Sequence, residues 1–181
     1  MFRQFIFSLS VGLAVLAVDV VPAYAHVTPI PCDFITSGGF VFTDANAEAN
    51  FGAHGGCKNG DFWGHVNYVD HGTGLHVDST QITGYVVPGG VPNARDICGI
   101  ARINESEQTV RFRVRLIDNG EPGRDDQFGI RLSNGYVVTT RSLAGTDPGG
   151  GNVQLHEPNP STTGPVPPRD EFTMCGGVEG P

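Results

Sequence analysis

Four acidic side chains, Asp118, Glu121, Asp125 and Asp126, fall within one short loop-like stretch, Asp118-Asn-Gly-Glu-Pro-Gly-Arg-Asp-Asp126. Calcium takes about six to eight oxygens from such clusters, often with backbone carbonyls, so this stretch is a candidate calcium site. Its spacing is not that of an EF-hand. The competing reading is a hairpin loop whose Asp and Asn side chains bond their own backbone, with Arg124 neutralising part of the charge. A second candidate is the alternating row Arg111, Arg113 and Arg115, joined by Arg131 in the next apolar segment. Side chains two apart share one face at about 7 Å spacing, and guanidinium groups in a row can hold a sulfated or carboxylated glycan bidentately. The competing reading is a solvated strand face, paired with acids such as Glu105 and Glu107. Either way, Arg113 is expected to be exposed.

Histidine offers a third chemistry. Asp70-His71 closes an alternating segment and His156 ends another, and a carboxylate orienting an imidazole can serve a metal ligand or a general base. No Ser or Cys stands in a nucleophile-elbow context, so a hydrogen-bond network at a turn is the simpler reading. If a leader is cut after Ala25, His26 becomes the N-terminus. Its amine and imidazole, with His71 or His156 (or His54, His65 or His76), could then bind copper. Trp63, Tyr68 and Tyr85 suggest a sugar-stacking platform, but alternation sends Trp63 and Tyr68 to opposite faces. Asn104-Glu-Ser106 fits a glycosylation acceptor, relevant only where the host glycosylates exported proteins.

The elements that must position these residues are strands. Val110, Phe112, Val114 and Leu116 alternate with the arginines, and Phe128, Ile130 and Leu132 continue the apolar face. Shorter runs of the same kind are Phe34–Thr36, Phe40–Phe42, Ala49–Ala53, Asp61–Asp70, Leu75–Val77, Ile82–Val87, Ile97–Ile103, Tyr136–Thr140 and Asn152–His156. Turn chemistry separates them, as in Asn119-Gly120 and Ser133-Asn-Gly135. No window carries a capped helical period. The expectation is an all-β fold with very little helix: an antiparallel β-sandwich or barrel-like sheet of about ten short strands. Gly 26 and Pro 13 suit such a turn-rich protein. Pro88–Arg95 and Ala144–Gly151 read as loops.

The N-terminus has the pattern of a secretory signal: Arg3, an apolar run from Phe5 to Val18, and Ala23-Tyr-Ala25. The apolar run is short for a membrane span and Asp19 interrupts it. The expected organisation is a signal peptide over residues 1–25, a single β domain over 26–156 and a Pro-rich tail over 157–181, extended or disordered over Pro158–Arg169. Cys32, Cys57, Cys98 and Cys175 in an exported chain imply two disulfides, with three connectivities open. The pairing favoured is Cys57–Cys98 with Cys32–Cys175, which would tie the tail back to the domain. The net charge of −8 argues against nucleic acid and anionic membrane as partners.

Six phrases in order carry a resemblance: Ile35-Thr-Ser-Gly-Gly39; Asn50-Phe-Gly52; Asn67-Tyr-Val-Asp-His71 with Gly74-Leu75; Asp118-Asn-Gly-Glu-Pro-Gly123 with Asp126 and Phe128; Ser133-Asn-Gly-Tyr136; and Gly149 to His156. Together they resemble the post-COAP domain of secreted bacterial proteins, over Phe34 to His156. In that family the domain usually stands beside others in surface or secreted proteins, and no activity comes with it. The three arginines replace Thr-like positions of the family, and the cysteines are additions. The sequence thus points to an acidic secreted domain with a non-catalytic binding or structural role, its partner an extracellular glycan or protein and no cofactor required. The alternative is a secreted copper enzyme acting on polysaccharide.

Overall fold

A computed structural model describes residues 28–143, 150–160, 166 and 169–181. His26, the expected signal peptide and most of the 144–151 loop lie outside the described residues. Nine strands follow one another: β1 (Phe34–Phe42), β2 (Glu48–Lys58), β3 (Asp61–Asp70), β4 (Leu75–Val86), β5 (Ala94–Ile103), β6 (Thr109–Ile117), β7 (Gln127–Leu132), β8 (Val137–Ser142) and β9 (Gly151–His156). A single helical turn, α1 (Glu171–Cys175), lies in the C-terminal segment. It is capped by Asp170, whose carboxylate accepts from the Thr173 amide.

The count is nine because neighbouring runs merge. Gly38 and Gly39 do not break β1, which pairs continuously with β2 from Phe34 to Phe42. β4 absorbs two expected strands by register shifts at Ser79/Gln81 and Ile82/Gly84, the local remedy of a β-bulge.

Every pairing is antiparallel, in the order β8-β7-β6-β5-β4-β3-β2-β1-β9. The sheet therefore meanders through β8, and β9 returns beside β1. It curls on itself: Phe51 of β2 stacks on Phe128 of β7 with centroids 3.9 Å apart, and Tyr68 of β3 stacks on the same ring at 5.9 Å. Val110, Phe112, Val114 and Leu116 fill the interior from β6. The result is an all-β, barrel-like fold.

Polar networks stand at the margins of this core. Asp33 accepts from the Tyr85 hydroxyl at 2.7 Å and from Arg95 Nε at 2.9 Å, and also bonds Arg95 Nη2. Arg95 further donates to the carbonyls of Pro92 and Ala94. Burial pushes the Tyr85 hydroxyl well above its usual range, so it remains a donor. Asp70 gathers Tyr136, Thr73 and the Gly72 amide, and Tyr68 and Tyr136 share a hydroxyl contact of 2.6 Å.

The disulfides are Cys32–Cys57 and Cys98–Cys175, which corrects the expected 57–98 and 32–175 pairing. The reason is which way each side chain points. Cys57 alternates with Ala53 and Phe51 on the inner face of β2, whereas Cys98 lies opposite Arg113 on the outer face of β5. No bridge joins side chains on opposite faces of strands three apart. Cys175 does bind the tail to the domain, through Cys98.

Candidate functional site

The acidic loop is a fastener between two parts of the barrel. β9 pairs with β1 on one side only, leaving the amides of Val153 and Leu155 along its free edge. Asp126 Oδ2 accepts from Val153 N at 2.7 Å, and Asp118 Oδ2 accepts from Leu155 N at 2.8 Å. Two carboxylates thus replace the ladder bonds of a missing neighbour strand. Their other oxygens take the amides of Asn119 and Gly120. Glu121 accepts from the Asn152 side chain, and the Asp125 carbonyl from the Asn119 side chain. Asp126 is fully buried, and desolvation raises its pKa despite two backbone donors and with nearby Asp118 and Glu121 adding to the rise. Asp118 and Asp126 are each engaged by one backbone donor of the loop and one of β9. Among the described residues no three His, Cys, Asp or Glu side chains form a group able to hold a metal ion.

The arginine row is covered, not solvated. Arg113 is 5% exposed and pairs with Asp96, which is 0% exposed, and with Glu171 of α1. Arg115 bonds both oxygens of Asp96 at 2.8 Å, and those hydrogen bonds raise its pKa despite burial. Arg131 donates to the Gly180 carbonyl, and Thr140 to the Pro181 carbonyl. Met174 and Cys175 are buried on the outer face, with Met174 over Gly84. The C-terminal segment is thus a strap across β4 to β8. Arg111 remains exposed, but the expectation of three free arginines is corrected. A groove runs between the strap and the sheet, lined by Arg113, Arg115, Phe172 and Gly177–Gly180.

The histidines separate into two regions. His71 follows the end of β3, where Asp70 pairs with Ala49 and Ala49 with Val41. His156 pairs with Phe34. Seven residues of β1 divide the two positions, about 23 Å at the usual strand rise. The structure does not bring His71 and His156 together for a metal, and His26 lies outside the described residues.

Around His156, however, a row of rings forms on the outer face. His156 stacks on Phe34 with centroids 4.3 Å apart and an interplanar angle of 5°. Phe34 meets Trp63 at 6.2 Å, Trp63 meets His54 at 5.6 Å, and His54 meets His65 at 6.3 Å. The row crosses β9, β1, β2 and β3. Phe34 and Trp63 converge over Gly56, where an added Cβ would lie 2.7 Å from the Phe34 Cβ. Polar anchors fix the imidazoles: His156 Nε2 with Thr36 Oγ1 at 2.8 Å, and His65 with Ser79 at 3.1 Å and Asp78 at 3.3 Å. Desolvation, reinforced by His65, lowers the His54 pKa, which favours the uncharged imidazole at that position. Trp63 Nε1 is shielded and has no acceptor among the described residues. Tyr68 and Tyr85 sit in the core, so the three-ring platform does not form, as alternation requires.

Sequence reasoning missed this row. Its signal was present in the outward parity of Phe34, His54, Trp63 and His156, but only the pairing registers make them neighbours. No family model, no curated protein and no solved structure matches this chain.

Proposed function

We propose that this protein is a secreted, non-catalytic binding domain that presents the His156–Phe34–Trp63–His54 row to an extracellular partner. The observation carrying this reading is that the rings are partly exposed on a face that the fold leaves open among the described residues. On the neighbouring face the strap buries Cys98 and Arg113, so covering is available to this fold where structure demands it. Rings with apolar faces and polar edges are the usual currency of recognition surfaces. Two disulfides fit an extracellular protein, and among the described residues no helix is long and apolar enough to cross a membrane. The leader-like N-terminus and the resemblance to the post-COAP domain support export in the same way.

The chain contains a single tryptophan, so fluorescence excited at the red edge of the indole band, where its four tyrosines do not absorb, reports Trp63 alone. Titrating the mature protein with a panel of soluble neutral and acidic glycans is expected to change that emission saturably for at least one member. Phe34→Ala should weaken the response by tenfold or more without altering the fold. An emission unaffected by every glycan would remove the glycan arm of the reading, and binding indifferent to Phe34→Ala would remove the row.

A further inference from the structure

The strand glycines narrow the partner further. Ten glycines lie inside strands, and for eight of them an added Cβ would come within 3.1 Å of described atoms, so internal packing explains their size. Gly38 and Gly52 differ. Nothing described lies within 4 Å of a Cβ at Gly52, and only the Phe51 carbonyl, at 3.9 Å, approaches one at Gly38. Neither has positive φ. Glycine inside a strand costs stability, and the pairing runs in continuous register through both positions, so no bulge calls for them; besides easing the curl of the sheet, a bare position of this kind serves the close approach of something else to the backbone. The two are cross-strand partners, flanked in register by Asn152 of β9 and Asn67 of β3. They lie one side-chain step beyond Thr36 and His54, directly alongside the ring row.

We infer that the partner is a neutral, extended polysaccharide chain that stacks on the row at Phe34 and Trp63 and passes over the bare backbone of Gly38 and Gly52. This inference rests on the function proposed above. Pyranose rings offer apolar C–H faces to aromatic rings and hydroxyls to amide, imidazole and hydroxyl groups, which is the mixture this surface presents. Neutrality follows from charge. Lys58 and Arg102 on this outer face stand in register with Asp61 and Asp78, Glu48 adds a further negative charge, and the chain as a whole carries −8. An acidic polymer would be repelled, and the guanidinium groups of Arg113 and Arg115 are taken by Asp96 and Glu171. Among the described residues the surface is a sheet exterior without an enclosing cleft, so affinity must come from several shallow contacts along a chain.

The test uses the mature protein with cellohexaose, chitohexaose and a heparin oligosaccharide, followed by calorimetry at low and high salt. Binding of at least one neutral hexaose, changed less than twofold by salt, is expected, with none to heparin. Gly52→Val should reduce that affinity at least tenfold while the melting temperature holds or rises, because a Cβ there meets open space and Val suits a strand. Trp63→Ala should abolish binding. Heparin binding that is lost in Trp63→Ala would overturn the neutral-chain inference and leave the ring surface standing. Neutral binding that survives Gly52→Val overturns the path over the glycines. Binding of neither class, or a peptide partner captured through the row instead, overturns the inference outright.

Discussion

Replacing Asp126 with Ala probes how the barrel is closed. Asp126 has no exposed surface and accepts from Asn119 N and Val153 N, each at 2.7 Å. Its removal leaves two backbone donors without partners, and a buried unsatisfied donor costs about 1–3 kcal/mol. The Val153 bond is buried and takes the upper part of that range, whereas the Asn119 amide is partly open to water and takes the lower part. Burial disfavours the charged carboxylate, as its raised pKa shows, so removal also relieves some cost. The net loss expected is about 2–4 kcal/mol, a fall in Tm of about 4–16 °C for a domain of this size. Asp126→Asn keeps one acceptor oxygen and should lose about half as much. Urea unfolding gives the stability, and hydrogen exchange at Val153 should accelerate selectively. A loss under about 0.5 kcal/mol, or a deficit in the wild-type protein that added calcium repairs, would refute the carboxylate-for-strand account.

Arg113→Ala should destabilise by about 1–3 kcal/mol, less than the loss for a wholly unpaired buried charge because Arg115 still holds both oxygens of Asp96; thermal unfolding measures this, and a change within about 0.5 kcal/mol would return the row to solvent. Asp70 gives a pH signature. Burial raises its pKa, but hydrogen bonds from Tyr136, Thr73 and Gly72 outweigh that and hold it below the usual carboxylate value. The stability it contributes is present above the unfolded value, about pH 4, and is lost as pH falls through the folded value. Acid titration of Asp70→Asn should therefore lack that part of the loss. Replacing Cys98 and Cys175 together by Ser opens a bridge of sequence separation 77 and should cost about 4.5 kcal/mol by loop entropy, with the strap exchanging first.

Much of the barrel was legible because strand alternation writes burial into every second residue. Val110, Phe112, Val114 and Leu116 face the core as their period requires, and Trp63 points away from the buried Tyr68 for the same reason. What the sequence does not carry is register. Cys57 and Cys98 looked like partners between central strands, yet one faces inward and the other outward. The arginine row read as solvated because the segment covering it, Glu171 to Pro181, has no strand period and only one helical turn. Asp118 and Asp126 looked like oxygen ligands because the β9 amides that use them are 37 and 27 residues away in the chain. The ring row is hidden in the same manner, its members drawn from four strands that only the pairing sets side by side.

The most direct measurement is an amide and indole NMR titration of the mature protein with cellohexaose and chitohexaose. At least one is expected to shift the Trp63 indole and the amides of Phe34, Gly52 and His54 together, with one saturation curve. Shifts confined to the strap groove at Phe172 and Gly177 to Gly180, or no shift along the row with either sugar, would contradict the assignment of this face as the binding surface.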